Sequence, residues 1–274
     1  MPAIIISILV IIIGASIAFY VISTKRKQRY TEFVTQHSFA LKELANINSK
    51  YKFYSVSDSN EYHTHDNVNN YNNVSCRDYL IYQLQFKQRE VKNDISLAES
   101  NKASYSLYKQ EVERIDCFGQ FDEPIENMKF DSLVSIEKTL FRRKQLKPAT
   151  SYHYNVKLYN SDMNGSILNS KSDSFNSDQI KNLINKLNNR NGDFYNDREI
   201  WDALCRVERG KVSNKMRFSI YKRDGYRCRR CGRSGMFNDL EIDHIRPISK
   251  GGKTEYNNLQ TLCRRCNKEK GDSW

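Results

Sequence analysis

The chain has 274 residues, of which 44 are Lys or Arg and 32 are Asp or Glu, so its formal net charge is +12. Seven cysteines, three of them isolated and four in close pairs, suit a reducing compartment and argue against a secreted scaffold held by disulfides. The charge is uneven, because the last 74 residues contain 18 Lys and Arg against nine Asp and Glu.

Residues 3–24 contain no charged side chain and are mostly Ile, Val, Leu, Ala and Phe. A run of this length predicts a transmembrane helix, because about 20 apolar residues span a bilayer. Four basic residues follow, Lys25, Arg26, Lys27 and Arg29. Charge after a long apolar run disfavours a cleavable signal peptide. The positive-inside rule then predicts a single-pass membrane protein, anchored by residues 1–24, with its N-terminus outside and the rest in the cytoplasm.

The segment 25–147 is predicted to be a helical cytoplasmic region. Residues 57–76, rich in Asn and Ser, predict a loop. Apolar spacing predicts helices over 30–50, 78–115 and 125–143. Packing between these helices is one interpretation, and binding of a protein partner through residues 30–143 is the other.

The segment 148–200 is predicted to be a small hairpin-plus-helix module. Apolar and polar residues alternate from Tyr152 to Leu158, Asn164-Gly165 offers a tight turn, and Ile167-Leu168 begins a return strand. Ser177 is a candidate cap for a short amphipathic helix. A further helix is predicted over 197–209.

The last predicted domain, residues 201–274, contains two cysteine pairs. Cys228 and Cys231 form the first, Cys263 and Cys266 form the second, and each pair has a two-residue spacing. Four such thiolates make a closed tetrahedral site of the kind that structural Zn²⁺ requires. A redox dithiol is the alternative, but two pairs without a thioredoxin-like pattern favour zinc.

Between the pairs lie Asp243-His244, Pro247, Gly251-Gly252 and Asn258-Leu259. Together with the cysteine pairs, this pattern resembles the HNH endonuclease motif in its zinc-stapled form, over residues 212–271. The resemblance implies a ββα-metal unit, with a first strand that ends in Asp243-His244, a second strand that includes residues 258–262 and a helix that begins near Cys263. The predicted fold class is therefore α+β, with a transmembrane helix, a helical juxtamembrane region, a small α+β module and a C-terminal HNH domain.

The resemblance also implies the roles of four residues. His244 would be the general base, and Asp243 and Asn267 would hold a catalytic divalent cation, Mg²⁺ or another. Asn258 would orient the histidine and brace the loop. The strict family pattern has histidine where this chain has Asn267, which puts the metal preference in doubt. The chemistry fits, because histidine titrates near neutral pH and hard cations prefer oxygen ligands.

The basic C-terminal segment predicts a nucleic-acid partner, because such charge binds a phosphate backbone. Together with this charge, the resemblance implies hydrolysis of DNA by a membrane-anchored endonuclease, leaving 5′-phosphate ends as the family generally does, with RNA open as a substrate. One alternative is a catalytically idle zinc-ribbon DNA-binding module, and another is a membrane scaffold or sensor regulated through its helical region. The predicted nucleic-acid-binding residues are Arg227, Arg229, Arg230, Arg246, Lys268 and Lys270.

Overall fold

The structure is a computed structural model that describes residues 2–162, 164–191, 194–235 and 239–271, with side chains except at 2–15, 18 and 194. The chain forms two compact units. One contains residues 1–55 and 98–150, and the other contains residues 56–97 and 151–274. Helices and strands both occur, as the α+β prediction requires. The four domain boundaries predicted from the sequence stay a prediction.

The first unit is formed by helices α1 (Pro2–His37), α2 (Phe39–Lys50), the C-terminal part of α4 (Cys76–Glu113) and α5 (Phe130–Lys144). Ser38 separates α1 from α2, because its hydroxyl accepts a hydrogen bond from the Leu41 amide and caps α2. The buried Glu137 carboxylate accepts hydrogen bonds from Ser38 Oγ at 2.6 Å and from the Gly119 amide at 2.7 Å. These contacts fix α5 against the junction, so the continuous helix predicted over 30–50 is two helices.

The structure corrects the prediction of a transmembrane helix over residues 3–24. Within the described part of the chain, no helix is long and apolar enough to cross a membrane. The side chains of residues 3–15 lie outside the described set. The predicted orientation and cytoplasmic location rested on that helix and stay predictions.

A three-stranded sheet forms part of the second unit. Its strands are β1 (Ser59–His65), β2 (His153–Ser161) and β3 (Ile167–Asn176), in the order β1-β2-β3. β1 runs parallel to β2, and β3 runs antiparallel to it. Alternate residues of β2, including Tyr154 and Leu158, are buried, as expected for a strand with one core face. The predicted hairpin is confirmed, whereas the loop predicted over 57–76 is wrong where β1 and a short helix, Val68–Asn73, lie.

Around the sheet lie α3 (Val68–Asn73), the N-terminal part of α4, α6 (Ser177–Asn188), and the short strands β4 (Arg190–Asn191) and β5 (Phe194–Tyr195). The C-terminal elements are α7 (Arg198–Gly210), α8 (Asn214–Arg223), β6 (Leu240–His244), β7 (Leu259–Cys263) and α9 (Arg264–Lys270). Two short 3-10 helices, Ile248–Lys250 and Tyr256–Asn258, lie between β6 and β7. β6 and β7 pair antiparallel, with His244 opposite Leu259.

Helix α8 is hydrogen-bonded to both strands of the C-terminal pair. The Arg223 guanidinium donates to the Leu259 carbonyl at 2.7 Å, and the Thr261 amide donates to Asp224 at 2.8 Å. On β6, the Leu240 carbonyl accepts from the buried Tyr221 hydroxyl at 2.9 Å. These contacts hold the loop that follows α8, which carries the first cysteine pair, beside the strands.

Candidate active site and zinc centre

The four cysteines predicted to bind zinc meet in one cluster. Cys228 and Cys231 lie in the loop after α8, Cys263 ends β7, and Cys266 lies in α9. Their four sulfur atoms lie within 4.8 Å of one another, and the Cys231 and Cys263 sulfurs are 3.8 Å apart. A tetrahedron with Zn–S bonds of about 2.3 Å has an edge of about 3.8 Å. The cluster therefore fits a single tetrahedral zinc ion.

The pKa values of these thiols also favour a bound cation. Burial raises the pKa of Cys266, and the neighbouring thiols of Cys263, Cys231 and Cys228 raise it further, to about 12. Burial also raises the pKa of Cys228, but main-chain hydrogen bonds at Cys263, Cys231 and Arg230 outweigh it and lower the pKa to about 6. The four thiols therefore do not all ionise together at neutral pH. A divalent cation among them removes the repulsion between thiolates, the form that zinc binds.

His244 ends β6 and is 9% exposed. Its Nε2 lies 2.8 Å from the Thr254 hydroxyl. Burial lowers the pKa of His244 below its ordinary value, although the Asp243 and Glu208 carboxylates act in the opposite direction. The imidazole is therefore neutral at neutral pH and can accept a proton, which a general base must do.

Asn258 joins the two sides of the loop between β6 and β7. Its side-chain oxygen accepts from the Arg246 amide at 2.9 Å, and its side-chain nitrogen donates to the carbonyls of Arg246 at 3.2 Å and Lys253 at 2.8 Å. Its own main-chain carbonyl accepts from the Ile245 amide at 2.7 Å. These four contacts hold the chain directly after His244, which is the geometry that a bracing role requires.

Gly252 permits a close approach between two stretches of main chain in the same loop. A Cβ atom at this position would lie 2.0 Å from the Arg246 carbonyl oxygen, a main-chain atom that cannot swing aside. Gly251 has a φ of +77°, in the left-handed region that favours glycine, but its nearest neighbour would be the end of the Arg246 side chain at 3.6 Å. The two glycines are therefore required for different reasons.

We expect Gly252→Ala to destabilise the C-terminal domain by at least about 1–3 kcal/mol, because the clash displaces the main chain that Asn258 braces. Gly251→Ala is the matched control, and its backbone strain should cost about 1–2 kcal/mol without a clash. Urea unfolding and nuclease assays of both variants measure the difference. Equal stability and activity of Gly252→Ala and the wild-type protein would contradict this account of the loop.

The two residues predicted to hold the catalytic cation lie on β6 and α9, which contact each other. The Asp243 carboxylate accepts from Gln260 Nε2 at 2.9 Å and lies 3.2 Å from Lys270 Nζ. The Asn267 amide nitrogen donates to Glu241 at 2.6 Å, which leaves its oxygen for another partner. Glu241 and Asp243 occupy alternate positions of one strand, so their side chains share a face.

The donor set is therefore rich in oxygen and suits a hard divalent cation. Lys270 would compete with that cation for Asp243, because its ammonium group already pairs with this carboxylate and also donates to the His244 carbonyl at 3.0 Å. The sequence pattern did not identify Glu241 as a neighbour of the site. The only available signal was its position two residues before Asp243 on a predicted strand.

Most of the predicted nucleic-acid-binding residues are exposed. Arg227, Arg229, Arg230 and Lys268 lie around the cysteine cluster, where Arg230 also pairs with Glu269 at 3.5 Å. Arg246 is exposed but also donates from Nε to the Lys250 carbonyl at 2.7 Å. Lys270 is largely buried against Asp243, with 13% of its side chain exposed.

Comparison with known proteins supports the predicted resemblance of the C-terminal segment to the HNH endonucleases. The family model of the HNH endonucleases matches residues 228–273. This segment, which contains the cysteine cluster, Asp243-His244, Asn258 and Asn267, is similar to the HNH endonucleases, and the match supports nuclease activity on nucleic acid in general. No curated protein and no solved structure matches the chain.

Proposed function

We propose that the chain is a metal-dependent endonuclease that hydrolyses phosphodiester bonds of DNA, with His244 as the general base. The observation that carries the proposal is the position of His244. It lies at the end of β6, buried and neutral, beside Asp243 and directly before the segment that Asn258 braces. The HNH match supports nuclease activity in general, and the assignment of each role rests on this geometry.

In the proposed reaction, His244 accepts a proton from a water molecule as the water oxygen attacks the phosphorus atom. The bond between phosphorus and the 3′-oxygen breaks, and the leaving oxygen takes a proton from solvent. The product ends are a 5′-phosphate and a 3′-hydroxyl. Asp243 and Asn267 would hold a divalent cation, with Glu241 beside them. Such an ion would stabilise the charge that develops on the phosphate.

The exposed basic residues support a nucleic-acid substrate. Arg227, Arg229, Arg230 and Lys268 offer positive charge to a phosphate backbone, a contact that positions nucleic acid but carries no sequence information. The alternative is an idle-site module that binds DNA through the zinc-stabilised fold and this surface. The presence of Asp243 and His244 at the end of β6, with Asn258 bracing the segment that follows them, favours cleavage. Partner binding through residues 30–143 stays a prediction.

A cleavage assay with the full chain tests the proposal. Supercoiled plasmid DNA, a DNA oligonucleotide and an RNA oligonucleotide should be offered with Mg²⁺, with Mn²⁺ and with EDTA. We expect DNA cleavage with a divalent cation and none with EDTA, restored when the cation is added in excess. Cleavage of RNA without cleavage of DNA would contradict DNA as the proposed substrate and indicate RNA instead. DNA binding without cleavage under any of these conditions would favour the idle-site module.

A further inference from the structure

The His244 ring is tied to a helix that precedes the matched family segment. Thr254, in the loop between β6 and β7, contacts His244 Nε2 at 2.8 Å through its hydroxyl. The same hydroxyl donates to the main-chain carbonyl of Glu208 at 2.6 Å. Glu208 lies in the last turn of α7, outside residues 228–273. Carbonyls in the last turn of a helix lack helical partners, so this one is available to a side chain.

The direction of these hydrogen bonds follows from the groups involved. A carbonyl oxygen can only accept, so the one hydroxyl proton of Thr254 is used on Glu208. The contact with His244 must then be a donation from Nε2–H to the threonine oxygen. In a neutral imidazole, one nitrogen carries the proton and the other accepts. Nδ1 is therefore the nitrogen with the free electron pair.

The side chain of Glu208 holds Thr254 in place from a second direction. Its Oε2 accepts from the Thr254 amide at 3.1 Å, and its Oε1 pairs with Lys211 Nζ at 2.6 Å and lies 3.6 Å from Lys253 Nζ. Glu208 is 4% exposed. A buried carboxylate with these partners restricts Thr254 to one position, so the restraint reaches the His244 ring.

We propose that Thr254 is a positioning residue, which Glu208 holds so that its hydroxyl accepts the Nε2 proton of His244 and leaves Nδ1 as the proton-accepting atom. This inference rests on the proposed role of His244 as general base. It makes the C-terminal end of α7 part of the nuclease machinery, although the family match begins after it. The function of Thr254 is to fix the ring orientation and tautomer, and the hydroxyl takes no part in bond making.

Nitrogen NMR of the histidine-labelled full chain tests the hydrogen bond independently of cleavage. His244 is assigned by its loss in His244→Gln, since the chain has five histidines. At a pH where the ring is neutral, the wild-type protein and Thr254→Ser should both show an Nε2–H tautomer with a slowly exchanging proton. In Thr254→Val, the Nε2 proton should exchange rapidly with solvent. An Nδ1–H tautomer in the wild-type protein would overturn the inference.

Kinetics supply the second readout. Thr254→Val keeps the shape of threonine and should lower kcat by about 10-fold to 100-fold, with KM for DNA little changed, because the base is misplaced. Thr254→Ser should stay close to wild type. Glu208→Gln keeps the main-chain carbonyl and one side-chain oxygen that can accept from the Thr254 amide, so Thr254 should stay in place and the Nε2–H tautomer should persist. A Thr254→Val protein with wild-type kcat would refute this inference alone, whereas a wild-type protein without cleavage would refute the proposed function.

Discussion

His244→Ala is expected to abolish DNA cleavage and to leave DNA binding intact. The substitution removes the proposed base, and a positioned general base contributes about 10²-fold to 10⁴-fold to the rate. Residual cleavage should therefore fall by at least about 10²-fold. The exposed arginines around the cysteine cluster are untouched, so the Kd for a DNA duplex should change little. Single-turnover cleavage and a binding titration on the same preparation measure both quantities.

His153→Ala is a suitable control for this experiment. His153 begins β2, in the same compact unit as His244, but it is partly exposed and contacts Asp58 at 3.6 Å. Its loss should leave cleavage unchanged. If His244→Ala cleaves DNA as fast as the wild-type protein, the base has been assigned to the wrong residue, and a contaminating nuclease or another site must account for the activity.

Cys266→Ser should unfold the C-terminal domain instead of only slowing the reaction. Three of the four cysteines, Cys228, Cys263 and Cys266, belong to a small apolar cluster that also includes Tyr221, Leu240 and Leu262. So small a cluster contributes little stability, whereas a structural zinc ion contributes roughly 10–16 kcal/mol of apparent binding free energy in small domains. We therefore expect loss of zinc, loss of cooperative unfolding of this domain and aggregation. Cys263→Ser should behave in the same way.

Cys117→Ser provides the comparison, because Cys117 lies in the first unit and outside the cluster. It should retain zinc and stability. Elemental analysis of the wild-type chain should find about one zinc per molecule, as four thiolates around one ion require. A folded wild-type protein that contains no zinc, or a Cys266→Ser protein that keeps its zinc and its melting behaviour, would contradict the proposed structural role.

The elements of the C-terminal site could be predicted because their signals are local in sequence. Two-residue spacing brings Cys228 and Cys231, or Cys263 and Cys266, to one turn, and the strand ending in Asp243-His244 matches β6 (Leu240–His244). The helix predicted near Cys263 is α9. Within these few residues, propensity and the needs of the metal site favour the same structure.

Other parts of the fold depend on contacts between distant residues. β1 is a polar segment, and only its parallel pairing with β2, more than 90 residues later, makes it a strand. Glu208 and Thr254 could not be linked from sequence, because neither has a motif and 46 positions separate them. The transmembrane prediction rested on the apolar composition of one segment, and within the described part of the chain no helix is long and apolar enough to cross a membrane.

The central claim is hydrolysis of DNA by an activated water molecule, and oxygen-18 tests it directly. DNA of defined sequence is cleaved by the full chain with a divalent cation in water enriched in oxygen-18, and the product ends are analysed by mass spectrometry. The account predicts 5′-phosphate ends that carry one oxygen-18 atom and 3′-hydroxyl ends that carry none. A 3′-phosphate end that carries the label, or product ends that carry no label, would contradict the proposed reaction. DNA that stays intact after incubation with folded, zinc-loaded protein would contradict it as well.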